Sequence, residues 1–372
     1  MGRFIAYIVF LLVGSFAATA QRVSTLRTLP DALKENSGLA FYPNSILYFI
    51  NDGGNAPLLH RYDTVNNDYS TVTVLNASNA DWEDLAQDTE GNLYIGDIGN
   101  NSNNRKNLKI YKSVNPETIA SNEITVDTIS YTYSNQTTFP PESDSLNFDC
   151  EAMLWYKDSI YLFTKNRTSP YDGWCYMYVL SDEPGEYVAQ LRDSVQFAAM
   201  SKEAGWITGA DIRNDSLVLL TSGKVHLALA FNSAPLGSLS WTTYDVGFSQ
   251  KEAIVFGASS DKIFISDELF IIGNKLYLLD LAKTIASLDY LFSSSFELKQ
   301  TSTTLHIKLQ KRANAELHIY SIMGVKMYDV PFEKELFISQ EDLAAGNYII
   351  QLFVAGENCS FRWGQVRIIL PL

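Results

Sequence analysis

The stretch Glu151-Ala152-Met153-Leu154-Trp155-Tyr156-Lys157-Asp158-Ser159-Ile160-Tyr161-Leu162-Phe163-Thr164 decides the fold. It holds an acidic residue, an apolar run, a polar turn centred on Asp158-Ser159 and a second apolar run, the pattern of two antiparallel strands. The same unit recurs along the chain. Ser37-Gly38-Leu39 leads to the run 46–50 and ends at Asn51-Asp52-Gly53-Gly54. Glu83-Asp84-Leu85 leads to Leu93-Tyr94-Ile95 and ends at Gly96-Asp97. Thr208-Gly209-Ala210 leads to 217–220, and Glu252-Ala253-Ile254 leads to Ile263-Phe264-Ile265 and ends at Ser266-Asp267. Glu151 to Ile160, Thr208 to Leu217 and Ser37 to Ile46 are each nine residues apart. The other two copies carry inserted turn residues, Glu90-Gly91-Asn92 and Ser259-Ser260-Asp261.

Further strand-like runs follow each pair, at 58–62, 108–112, 174–180, 225–231 and 275–280, and most copies add a fourth, such as 71–75 or 124–133. Four antiparallel strands per repeat at this period is the pattern of a β-propeller blade. Five copies predict an all-β fold with a five-bladed β-propeller. The last copy lacks a fourth strand, while 22–29 is a strand-like run without a blade. Pairing that run with the strand at 275–280 closes the ring and removes its open edges. Six blades is the alternative, with one hidden between the second and third copies, although residues 134–147 there are rich in Pro and Ser and read as a loop.

The ends bound the propeller. Arg3, the apolar run 4–13 and Ala18-Thr19-Ala20 predict a signal peptide over residues 1–20. Its apolar core is too short to span a membrane, and no later run approaches the roughly 20 apolar residues required. The expected destination is outside the cell or on the outer-membrane surface; an uncleaved anchor is the alternative. The 372 residues carry 28 Lys and Arg against 42 Asp and Glu. That balance argues against nucleic acid, whose phosphates need clustered cations, and it suits a hard cation. Cys150 and Cys175 are predicted on the first and third strands of one repeat, roughly 9.5 Å apart across an intervening strand. That is too far for a disulfide, so free thiols are expected.

From about residue 291 the acidic repeat stops. Short strand-like runs at 304–309, 316–322, 325–330, 335–339, 348–354 and 361–370 predict a small Ig-like β-sandwich over 291–372, after a propeller over 21–290. Two segments carry a resemblance. Ile319-Tyr320-Ser321-Ile322-Met323-Gly324-Val325-Lys326 and Asp342-Leu343-Ala344-Ala345-Gly346-Asn347-Tyr348-Ile349-Ile350-Gln351-Leu352 resemble the C-terminal sorting domain of proteins exported by the type IX secretion system of Bacteroidota. Arg367-Ile368-Ile369-Leu370 matches the basic residue and apolar tail with which members end, although Pro371-Leu372 departs from it. The resemblance implies the type IX secretion machinery as a partner, and removal of the domain or its coupling to a surface lipopolysaccharide. An Ig-like adhesion module is the alternative reading.

In a propeller the first strand of each blade lines the central channel, so equivalent positions form a ring. Here they are Ser37, Glu83, Glu151, Thr208 and Glu252. Three carboxylates and two hydroxyls on one axis are a donor set for calcium, which takes six to eight oxygens in flexible geometry. Without a cation the carboxylates repel and at least one pKa rises; a solvated channel mouth is the competing reading. These repeat starts also resemble those of the calcium-activated nucleotidases (apyrases), secreted five-bladed propellers with one calcium ligand per blade. The order of hydroxyl and acid matches, with Thr208 where that family has Ser. Asn51-Asp52-Gly53-Gly54 answers to its acidic first turn, though the Asp-Asp-Arg of that turn is not intact, and Lys165-Asn166-Arg167 to its basic turn.

The strand-end turns give a second set: Asp52, Asp97, Lys165, Arg167, Lys224, Asp267 and Glu268. Mixed charge at one mouth suits a small polar ligand, a phosphate or a glycan. Two function classes follow: an exported binding propeller with structural calcium, or a calcium-dependent hydrolase of phosphoanhydrides or related esters. The second would use Asp52, Asp97 or Asp267 as base and Lys165 or Arg167 as anchor, with Lys224 and Glu268 binding the ligand. The isolated histidines His60, His226, His306 and His318 offer neither zinc spacing nor a catalytic base.

Overall fold

The computed structural model describes residues 23–197, 201–269 and 273–281, then 291–292, 296–300, 304–309, 312–321, 326–339, 348–354 and 357–363. The expected signal peptide lies outside them. Residues 22–281 form one unit, and residues 282–372 belong to another.

The first unit opens with Val23–Thr28 (β1). Each repeat then forms an antiparallel meander. The first comprises Asn36–Tyr42 (β2), Ile46–Asn51 (β3), Leu58–Asp63 (β4) and Asp68–Val74 (β5). The second comprises Trp82–Gln87 (β6), Leu93–Asp97 (β7) and Lys109–Ser113 (β8), completed by Val126–Tyr133 (β10). Between these last two, Glu123–Ile124 (β9) reaches back to pair parallel with β5. Then come Asp149–Trp155 (β11), Ser159–Lys165 (β12), Trp174–Ser181 (β13) and Gly185–Gln196 (β14). A further meander is Gly209–Arg213 (β15), Ser216–Leu220 (β16), Lys224–Ala228 (β17) and Trp241–Asp245 (β18). Lys251–Phe256 (β19), Lys262–Asp267 (β20) and Lys275–Asp280 (β21) end the series. β1 pairs with β21 from Val23↔Leu279 to Thr28↔Lys275, so the two ends of the unit share one sheet. β10 and β14 pair in parallel at their outer edges and fuse two meanders into an eight-stranded sheet.

The first strands touch in a closed cycle: β2 on β6, β6 on β11, β11 on β15, β15 on β19 and β19 on β2. This is a β-propeller arrangement. Meanders pack face to face, so second strands such as β3 and β7 are buried along their whole length. They therefore read as continuous apolar runs without alternation. One such layer contains Ile110, Tyr133, Met153, Ile160 and Tyr178. Close approach at the centre sets a steric rule. A Cβ on Gly38 of β2 would lie 2.6 Å from the backbone nitrogen of Leu85 on β6.

Carboxylates tie the first strands together. Buried Asp84 on β6 accepts a hydrogen bond at 2.8 Å from the Met153 amide on β11. Asp211 on β15 accepts one at 2.7 Å from the Phe256 amide on β19. Asp84→Ala leaves a buried amide without its acceptor, which costs about 1–3 kcal/mol. Thermal melts should show D84A clearly destabilised and Asp84→Asn, which keeps a carbonyl acceptor, less so; equal melting of D84A and the wild type would refute the tie.

β12 separates Cys150 on β11 from Cys175 on β13, and both are buried free thiols. Burial pushes the Cys175 thiol up to about 12 and the Cys150 thiol well above its usual range.

In the C-terminal unit, Leu291–Phe292 (β22), Phe296–Gln300 (β23), Thr304–Leu309 (β24), Ala315–Ser321 (β25), Lys326–Phe332 (β26), Glu335–Ser339 (β27), Tyr348–Val354 (β28) and Glu357–Trp363 (β29) form two four-stranded sheets. Their orders are β22-β23-β24-β27 and β26-β25-β28-β29. Leu305, Ile307 and Leu309 are buried on alternate positions of β24, as are Leu317 and Ile319 on β25. The last described strand starts at Glu357 rather than near 361, with Glu357 paired to Val354. The quoted 319–326 segment ends β25 and starts the antiparallel β26. Residues 322–325, 342–347 and the tail 367–370 lie outside the described part.

Candidate ion site at the ring of first strands

Irregularities in the ladders place the repeat starts. Register shifts fall between Asn36 and Gly38, Trp82 and Asp84, Cys150 and Ala152, and Lys251 and Ala253. The residue skipped is in turn Ser37, Glu83, Glu151 and Glu252. A bulge drops one residue out of pairing, bends the strand and re-aims its side chain. All four residues line one polar cavity of about 140 Å³. Thr208 is the exception. β15 starts its pairing regularly at Gly209↔Leu220. The Thr208 hydroxyl donates at 2.7 Å to the Lys251 carbonyl, so it ties two first strands and lies outside the cavity lining.

The same cavity receives Asp52, Lys165, Arg167 and Glu268, with Asn101 and Gln250 beside them. The Lys165 ammonium donates to Glu151. The Arg167 guanidinium spans Asp149 (Nε to Oδ2, 2.7 Å), Glu151 (3.2 Å) and Asn101. The Trp206 ring faces both cations, 5.1 Å from Lys165 Nζ and 4.5 Å from Arg167 Cζ. Its indole N–H donates to the Asn166 carbonyl. On the opposite side the Ser37 hydroxyl donates to Glu83 at 3.4 Å.

Acid outnumbers base, and the carboxyls show it. Burial is the main cause in every case. It raises Glu151 to about 7, against the pull of Lys165 and with the push of Asp149. It raises Glu252 to about 8, again opposed by Lys165 and reinforced by Glu151 and Glu268. Glu268 rises to about 7, with Asp52 and Glu35 adding to burial. Glu83 is held well above the carboxylate range by burial and by Glu151.

The remaining turn residues have other work. Asp97 is fully buried, ion-paired to Arg105 at 2.7 Å, and accepts the Asp81 amide. Asp267, also fully buried, accepts from Ser249 (2.8 Å), Tyr277 (2.6 Å) and the Lys275 amide (2.7 Å). Both end their second strands, and both lie outside the cavity lining; the next residue of the same copy, Glu268, and Asp52 in the first copy are the ones that line it. Lys224 is exposed on β17, also outside the lining.

Asp81 joins the site without any repeat signal. Its carboxylate, with those of Asp52 and Glu83, offers oxygens within 4.8 Å of one another. Burial and Asp52 raise it to about 6. A Cβ on Gly99 would collide with Glu83 Oε1 and Asp81 Oδ2, so glycine lets this turn close over the acids. The donors are all hard oxygens, which fits a divalent cation of the calcium type and not a soft or nitrogen-preferring metal.

No family model matches the sequence, and no curated protein matches it. Among solved structures, the chain is similar to the PQQ-bound aldose sugar dehydrogenase of Streptomyces coelicolor (10% identity, TM-score 0.41, 69% of this chain and 96% of that one). It is similar to virginiamycin B lyase of Staphylococcus aureus (12% identity, TM-score 0.33, 68% of each chain). It is also similar to the Pan2 WD40 domain of Neurospora crassa (9% identity, TM-score 0.36, 69% of this chain and 95% of that one).

Proposed function

We propose that the chain is an exported five-bladed β-propeller whose axial cavity holds calcium and whose mouth binds an extracellular polar ligand or glycan. Each meander is read as one blade, and β1 completes the last. The C-terminal unit is read as an Ig-like type IX secretion sorting domain that delivers the propeller to the cell surface or beyond. One observation carries the ion site: four first strands bulge at the equivalent residue, and the bulged residues Ser37, Glu83, Glu151 and Glu252 meet in one polar cavity. Those residues would hold the ion, with Asp52 and Asp81 beside Glu83. A bound calcium would supply the positive charge that keeps the acids ionised.

The second reading, hydrolysis of phosphoanhydrides, is favoured by Asp52 sharing that cavity with Lys165 and Arg167. Calcium titration by calorimetry should show one site, weakened at least about tenfold in Glu252→Gln, the range that outer-shell losses already reach. Heat of binding absent from folded protein at millimolar calcium would overturn the ion site. Calcium-dependent phosphate release from nucleoside di- and triphosphates would replace the binding reading with the hydrolase. Secretion unaffected by removal of residues 291–372 would remove the sorting role.

A further inference from the structure

Lys165 stands inside the acid ring, not at its rim. It is the last residue of β12, paired with Asp149, and the bulge at Glu151 on the facing strand brings that carboxylate onto its ammonium. The residue is 8% exposed, and besides Glu151 it feels the charges of Glu252 and Glu83. Glu83, Glu151 and Glu252 are three of the four bulged residues that define the ring. On its other side the Trp206 ring faces both its ammonium and the Arg167 guanidinium. A lysine free to recruit an anionic ligand would point its charge at the mouth; this one spends it on the ring.

We propose that Lys165 is a tethered counterion that occupies the cation position of the ring and must be displaced when a divalent ion enters. Two positive centres cannot share a cavity of about 140 Å³ without strong repulsion. Lys165 therefore sets the metal affinity: it keeps the ring folded at low calcium and lowers the affinity of the site. Arg167 plays a lesser part: it also reaches Glu151, but Asp149 and Asn101 hold its guanidinium to one side. The inference rests on the calcium reading above and refines it.

The test compares the full chain with Lys165→Met, which keeps the length and apolar stem of the side chain but removes its charge. Lys165→Gln, which keeps a donor to Glu151, is carried in parallel should K165M fold poorly. Calcium is titrated by calorimetry into chelator-treated protein at pH 7.5, and melting temperatures are read in EDTA and in millimolar calcium. The expected result is at least tenfold tighter calcium binding by the variant, a lower melting temperature in EDTA and recovery with calcium. A variant that folds only with calcium gives the same answer. Equal or weaker binding by the variant overturns the inference while leaving the calcium site in place. If neither protein binds calcium, the calcium reading fails. The counterion role is then decided in EDTA alone: a lower melting temperature for both variants keeps it, and an unchanged one ends it.

Discussion

In EDTA, the melting temperature of the protein should fall as pH rises from 6.5 to 8.5, and saturating calcium should make the fall shallower. The sign follows from the cavity acids. In the unfolded chain these carboxyls titrate near 4. In the folded, ion-free protein Glu151 and Glu268 are raised to about 7 and Glu252 to about 8, by burial before any other cause. Asp211, outside the ring, is also raised to about 7 by burial. A raised folded-state pKa means that the folded protein holds protons the unfolded chain has lost. That contribution is complete below pH 4 and disappears as pH climbs through 7 and 8. Each proton so held is worth about 1.4 kcal/mol per pH unit where it is fully bound in one state only. The window starts at 6.5 for a reason. Burial lowers His60 and His226 to about 4, and these act in the opposite direction, losing stability as pH falls through 6.5 to 4. Their effect fades as pH climbs past 6.5, so the acids dominate the upper part of the window. On the proposed reading calcium would bind the ionised ring, so its stabilisation should grow with pH and reach about 2.7 kcal/mol at a hundredfold excess over the dissociation constant. A flat or rising profile in EDTA, read by scanning calorimetry, would mean that Lys165 and Arg167 already neutralise the site.

The ring was legible because a repeat in sequence becomes a rotation in space. Three glutamates and a serine at equivalent places had to converge once the first strands closed a cycle. Other features stayed hidden. Pairing register at the start of a strand depends on hydrogen bonds with its neighbour, so a bulge has no signature in one sequence. Thr208 looks like its siblings in the alignment of repeats, yet its strand starts without a bulge and its hydroxyl turns to the Lys251 carbonyl. Asp97 and Asp267 failed to reach the cavity for a related reason. Each is the last paired residue of its second strand and is engaged by a neighbouring donor, Arg105 at one oxygen of Asp97 and Ser249 at Asp267. Asp81 was hidden differently, because the turn around Gly99 brings it to Glu83 and no period marks it. The fused sheet is also a tertiary event: β10 and β14 pair in parallel only because two outer edges meet.

Closure at β1 should be the most fragile feature of the first unit. Removing Val23–Thr28 should lower the melting temperature by about 10 °C or more, or abolish the cooperative transition. The strand supplies the ladder from Val23↔Leu279 to Thr28↔Lys275, with a bulge between Thr25 and Arg27. Just beyond it, the Leu29 amide donates to the Asn274 carbonyl at 2.8 Å, and the Asn274 side chain donates back to the Leu29 carbonyl at 3.0 Å. Without β1, the run Lys275–Asp280 becomes an open edge rich in Leu and Tyr, a template for pairing with other chains. Val23 also leaves a core that includes Val225, Ile263 and Leu279. A loss of several kcal/mol follows, and at roughly 2–4 °C per kcal/mol for a large domain it gives the stated shift. The ends of the unit are joined here and nowhere else among the described sheets, so no neighbouring strand can take the place of β1. A synthetic peptide spanning residues 22–30 should restore part of the lost stability by adding the strand in trans. A truncated protein that melts like the full chain would show that contacts among the first strands hold the ring without this seam.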